Sequence, residues 1–130
     1  RDVAPSRGLG DVYKRQPEAY ADNLTDMIRR AKAQCRGVIV CTPYYMEPNR
    51  TDPMRSRMDT YAQLCRRITK DEDCVLVDFQ ELFDSYATYH HSAYLSWDRV
   101  HPNQIGATLM ARRWLETCGA DFSKDWRRQE

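Results

Sequence analysis

Histidine is the scarcest chemistry-bearing side chain here, with three copies in 130 residues, so imidazole chemistry has few places to sit. Charge of one sign is lacking too: 20 Lys and Arg face 19 Asp and Glu, interspersed, for a formal net charge of +1. The one-sided positive surface that a nucleic-acid backbone requires is therefore not expected, and no nucleic-acid partner is implied. No apolar stretch approaches the roughly 18 residues of a membrane span, and no signal-peptide core is visible. The five cysteines are odd in number and none forms a CxxC pair, which argues against both a disulfide framework and a zinc knuckle. Buried free thiols are the expected state, in a reducing compartment such as the cytoplasm. Met46, Met54 and Met58 read as packing residues, and no cofactor is expected.

What is present suffices for at most one domain, at 42% hydrophobic residues. Residues 1–16 have no apolar period, and Asp11 to Gln16 is the translation of GAT GTG TAT AAG AGA CAG, a transposon end sequence used to build sequencing libraries. They are expected to be a non-native or disordered leader, with the natural sequence resuming near Pro17 in mid-domain. From Pro17, the residues Tyr20, Leu24, Met27, Ile28 and Ala31 recur at helical spacing to about Cys35. Val38, Ile39, Val40 and Cys41 then form a short apolar run without alternation, as in a strand covered on both faces. A second helix is expected over 53–69, with Met54, Met58, Tyr61, Leu64, Cys65 and Ile68 inward. A second buried strand over 74–79 follows, then a shorter helix over 80–88 and a last helix from about 102 to 119. Residues 120–130 read as a polar tail. Strand, helix, strand is a right-handed crossover that builds parallel sheet. Two such strands alone are too few for a finished α/β layer, so the domain over 17–119 is expected to be N-terminally truncated.

One segment carries chemistry. Ser96-Trp97-Asp98-Arg99-Val100-His101-Pro102-Asn103 puts a carboxylate three residues before a histidine at the mouth of a helix. A neutral imidazole can take a proton from a hydroxyl near neutral pH if something fixes its tautomer, and Asp98 can do so. The competing reading is that Asp98 and His101 cap the last helix, although Asn103 could do that alone. Upstream, His90 and His91 with Tyr86, Tyr89, Tyr94 and Trp97 form an aromatic segment. It reads as a substrate wall or as a loop covering the sheet edge. A metal site built from one of these histidines with Asp98 and His101 lacks a third ligand at helical spacing, so no metal is expected. Asp59 and Asp78 are given no role.

Asp98-Arg99-Val100-His101-Pro102-Asn103, followed by Gly106 and Met110-Ala111, resembles the last conserved block of the SGNH hydrolases, the GDSL-type lipases and esterases. Tyr20 to Leu24 opening a helix, Thr42-Pro43 ending a strand, Met58-Asp59 and Tyr61 on the next helix, and Val77-Asp78 ending the second strand fit the same order. The resemblance implies an α/β fold, a three-layer α/β/α sandwich with a parallel, flavodoxin-like sheet. It also implies an ester hydrolase of the Ser-His-Asp type acting on small acyl or acetyl esters, with Asp98 as the acid and His101 as the base. The family's nucleophile and oxyanion-hole blocks are missing, because none of Ser6, Ser56, Ser85, Ser92, Ser96 and Ser123 stands in a GDS context. The parent protein is thus expected to be an esterase and the 130-residue chain inactive by itself. The alternative is a noncatalytic α/β binding module in which the DxxH turn is structural. Acyl specificity and oligomeric state are left open.

Overall fold

The computed structural model describes residues 5–123, with side chains from Arg15 onward. Helix α1 spans Pro5–Lys32, strand β1 Ile39–Cys41, helix α2 Pro53–Asp71, strand β2 Val75–Val77, helix α3 Phe79–Ala87 and helix α4 Gln104–Thr117, with a 3-10 turn at Ser92–Tyr94 before α4. The two strands pair in parallel, with Ile39 opposite Val75, Val40 opposite Leu76 and Cys41 opposite Val77.

Alternation along the strands sorts their side chains into two layers. Val40 packs with Ile28 of α1 and with Cys65 and Ile68 of α2, and Val38, Cys74 and Leu76 join that cluster. The opposite layer gathers Val77 with Met46, Phe79, Phe83 and Leu95, closed by Leu109 and Met110 of α4. Helices thus cover both sides of a parallel pair, the α/β/α arrangement expected. The strands are not covered along their whole length, however. Ile39 is 40% exposed and Val75 45%, whereas Val77 on the same face is completely buried.

Helix boundaries follow local chemistry. Asp52 caps α2 by accepting the Arg55 N–H at 2.9 Å, and Pro53, with no N–H to lose, opens it. Asp78 caps α3 by accepting the Glu81 N–H at 3.0 Å. Helix α1 corrects the expected start at Pro17: its backbone is helical from Pro5, and Pro17 lies inside it. An interior proline keeps a helical φ but forfeits one intrahelical hydrogen bond and crowds the preceding turn, at a cost of about 3 kcal/mol. Residues 5–16, expected as a leader outside the domain, continue that helix, while residues 1–4 and 124–130 lie outside the described part.

Two inward faces also differ from expectation. Met27 and Met54 are exposed, and the residue that α2 buries in its first turn is Arg55, at 1% exposure. A guanidinium can sit there because its partners come from elsewhere in the chain. The thiols differ as well: among the described residues Cys65 is buried, whereas Cys35, Cys41 and Cys118 are exposed.

Candidate active site

The segment 95–103 leaves the apolar layer at Leu95, which is buried, and delivers the DxxH sequence beyond the C-terminal end of β2. Its far end is fixed by Asn103. The Asn103 side chain accepts the Gly106 N–H at 2.9 Å and so caps α4, while its amide group donates to the Tyr94 carbonyl at 2.8 Å. The Asn103 backbone N–H donates to the Leu95 carbonyl at 2.7 Å, closing the loop on itself. Helix α4 can approach this closely because residue 106 is glycine: a Cβ there would lie 2.8 Å from the Leu95 carbonyl oxygen. Capping of α4 is therefore the work of Asn103, and Asp98 is left for something else.

Asp98 turns its two oxygens to two tasks. Oδ1 accepts from the Ser96 hydroxyl at 3.0 Å, the Val100 N–H at 2.9 Å and the His101 N–H at 2.8 Å. Oδ2 lies 2.5 Å from His101 Nδ1. The bond from the His101 ring, then the backbone N–H groups of His101 and Val100, hold this carboxyl well below the usual carboxylate range. Asp98 is therefore ionised across the neutral range and can only accept, which puts the ring hydrogen on Nδ1 and leaves Nε2 as a proton acceptor. The imidazole is 78% exposed, so Nε2 is presented outward. Among the described residues no serine hydroxyl bonds to this ring, and Ser96, the nearest in sequence, is buried and bonded to the carboxylate.

A second segment, the loop after β1, grips the first. The Met46 N–H donates to the Arg99 carbonyl at 2.9 Å, and the Tyr44 hydroxyl donates to the Val100 carbonyl at 3.2 Å. Burial first, and then the Asp98 charge, push the Tyr44 hydroxyl up, so it stays a neutral donor. The Arg99 guanidinium pairs with Glu47 and lies 5.8 Å over the Tyr45 ring. That loop is itself held by buried polar groups. Gln80 accepts the Tyr45 N–H at 2.7 Å and donates to the Tyr45 carbonyl at 3.2 Å. Arg55 donates to the Glu47 carbonyl at 2.5 Å, to Asp84 at 2.7 Å and to Asp59 at 2.8 Å. Asp59 and Asp78 are not a pair of acids: Asp59 serves Arg55, and Asp78 takes Arg66 at 2.7 Å.

None of Glu47, Gln80, Arg55 or Asp84 stood out in the sequence. The only signal was the four-residue spacing of Arg55 with Asp59 and of Gln80 with Asp84, which places each pair on one helix face.

The aromatic segment does not cover the sheet edge. Tyr86 alone packs against the apolar layer, while Tyr89 is 84% exposed and Trp97 88%. His91 Nδ1 accepts the Ala93 N–H at 3.0 Å, and the His90 ring stacks on Tyr86 at 4.7 Å. Both histidines thus have local structural work. An open cavity of about 640 Å³ lies between this segment and the loop after β1, lined in part by Glu47, His90, His91, Trp97 and Arg99. Among the described residues no three His, Cys, Asp or Glu side chains converge to hold a metal ion, and no helix is long and apolar enough to cross a membrane.

A parallel sheet between helix layers, with an Asp–His pair on a loop beyond its strand ends, is the construction of an α/β hydrolase. Residues 8–109 match the GDSL-like Lipase/Acylhydrolase family, and the chain belongs to it. An acetylxylan esterase of Geobacillus stearothermophilus is 33% identical over 126 residues, 88% of this chain and 58% of that protein. Among solved structures, LAE5, an α/β hydrolase enzyme from the metagenome of Lake Arreo, Spain, is 44% identical with a TM-score of 0.76, over 79% of this chain and 47% of its own. Axe2, an acetylxylan esterase from Geobacillus stearothermophilus, is 33% identical with a TM-score of 0.77, over 81% and 48%. The chain thus spans about half the length of the relatives it matches. Axe2 has been solved as three catalytic mutants, in which a serine, an aspartate and a histidine were each replaced by alanine, the histidine three positions after the aspartate.

Proposed function

We propose that this chain supplies the acid and the base of a Ser-His-Asp ester hydrolase acting on small acyl or acetyl esters. The observation that carries the reading is the 2.5 Å contact between Asp98 Oδ2 and His101 Nδ1, with the other carboxylate oxygen fixed by three donors. His101 Nε2 takes the proton of a serine hydroxyl as the serine attacks the ester carbonyl, and returns it to the leaving alcohol. Asp98 holds the tautomer and stabilises the imidazolium without itself taking the proton. The Asp-x-x-His spacing of the Axe2 catalytic mutants supports these roles. The relatives' names point to acetyl groups on xylan-type sugars as the first substrates to assay. Asn103 capping α4 weighs against the purely structural turn, because it leaves Asp98 without a helix to cap.

We place the nucleophile in a serine outside these 130 residues, because none of the six serines in the chain stands in the family's GDS context and Ser96, the nearest in sequence, is committed to the carboxylate. The experiment uses p-nitrophenyl acetate with two proteins. The 130-residue chain is expected to show no turnover above buffer. A longer protein carrying this chain and an upstream nucleophile block is expected to turn over and to lose about 10⁶-fold in kcat on His101→Ala. Turnover by the short chain that His101→Ala abolishes would overturn the placement of the serine. An active long protein indifferent to His101→Ala would overturn the assignment itself.

A further inference from the structure

We infer that Glu47 is a positioning residue for the Asp98–His101 pair, acting through Arg99. The inference deepens the hydrolase reading, but the geometry behind it concerns the turn alone.

Arg99 sits between the acid and the base with φ at +67°, in the left-handed region that residues other than glycine adopt reluctantly. That conformation has a consequence for Asp98. The chain turns back tightly enough for Oδ1 to accept both the Val100 and the His101 N–H, which leaves Oδ2 free for the ring. If Arg99 relaxed to an ordinary φ, both N–H groups would swing away and the carboxylate would lose its aim. Strained residues persist where their surroundings over-determine them.

Here the surroundings are three consecutive residues of one loop. The Met46 N–H donates to the Arg99 carbonyl, the Tyr45 ring underlies the guanidinium, and the Glu47 carboxylate pairs with it. An exposed ion pair contributes little; here the Arg99 side chain is 46% exposed, but the Glu47 side chain that holds it is only 13% exposed. Its own backbone is anchored by Arg55, which donates to the Glu47 carbonyl. Glu47 therefore holds the Arg99 side chain from a fixed point, and the side chain holds the backbone turn.

The test reads the ring contact directly, by nitrogen NMR of the histidine-labelled chain and amide exchange. In the unsubstituted chain the neutral His101 ring is expected as the Nδ1–H tautomer. Glu47→Ala is expected to mix the tautomers and to speed exchange at Val100 and His101 about tenfold, with β1 and β2 still protected. Glycine adopts the left-handed turn freely, so Arg99→Gly is expected to keep the tautomer and to restore it in the Glu47→Ala background. An unchanged tautomer in Glu47→Ala would overturn the inference. So would failure of Arg99→Gly to restore it, or general loss of protection in β1 and β2, since Glu47 would then be holding the fold. In the longer active protein Glu47→Ala is expected to lower kcat and leave KM in place. The NMR arms need no turnover, so failure of the hydrolase reading and failure of this one are separately visible.

Discussion

Where α1 and α2 cover the strand pair, Ile28, Val40, Cys65 and Ile68 meet out of water, whereas beyond the C-terminal ends of the same strands the contacts are mostly polar. There Gln80, Arg55, Asp84, Asp78 and Glu47 hold two loops to α2 and α3 through hydrogen bonds and ion pairs. Apolar packing is non-directional and tolerates exchange of similar volumes. A hydrogen bond has a preferred distance and angle, and a buried donor without its partner carries a large penalty. A pair that must be aimed to within a fraction of an ångström belongs at the polar end, where its DxxH loop is found.

The sharpest way to break that contrast is to remove one member from each region. Arg55→Ala takes a buried guanidinium away from Asp59, the Glu47 carbonyl and Asp84, of which Asp84 keeps Arg50 and Gln80, and should destabilise by about 3–5 kcal/mol. Ile68→Ala opens a cavity in the apolar region and should cost about 2–4 kcal/mol. Urea unfolding of the two variants decides the order. If Arg55→Ala proves the milder, the polar cluster is an accessory and the apolar layer alone holds the fold.

The apolar region was legible in the sequence and the polar region largely was not. Uninterrupted runs at Val38 to Cys41 and Val75 to Val77 announce strands, and the spacing of Tyr20, Leu24 and Ile28 announces a helix, because each reports only its own neighbourhood. The Asp98–His101 contact was legible for the same reason, since three residues separate its partners. Glu47 and Arg99, or Tyr45 and Gln80, are joined only once the strands have paired, and no local period encodes that. Arg55 shows the limit best: reading apolar residues as inward chose its neighbour Met54, which is exposed. The start of α1 was missed because proline is favoured in a first helical turn and disfavoured in an interior, so Pro17 reads as a helix start.

A smaller effect, in pH, sharpens the contrast from the electrostatic side. Burial alone would raise the Asp78 carboxyl, but the Arg66 bond, the Glu81 N–H and Thr42 outweigh it and hold the group below its ordinary value. A carboxyl lowered on folding stabilises the native state above its unfolded pKa, and that contribution fades as pH falls through the folded value. The native chain should therefore lose stability as pH drops below about 4. Asp78→Asn should be about 2–3 kcal/mol less stable at neutral pH and flatter in acid, because the charge-assisted bonds are already gone. Parallel pH dependences for the two proteins would remove Asp78 from the account.

The smallest expected effect lies on β2 itself, where residues two apart share a face but not an environment. Val77 is completely buried beneath Met46, Phe83 and Leu95, while Val75 on the same face is 45% exposed. Val77→Ala should destabilise by about 2 kcal/mol, for the lost methyl groups and the cavity behind them. Val75→Ala should stay within about 0.5 kcal/mol, because its side chain already meets water. Thermal unfolding of both variants in the 130-residue chain, and again in any longer protein that contains it, measures more than two residues. If Val75→Ala becomes costly only in the longer protein, the open part of this face is covered there, and the asymmetry between the two valines belongs to the short chain rather than to the fold.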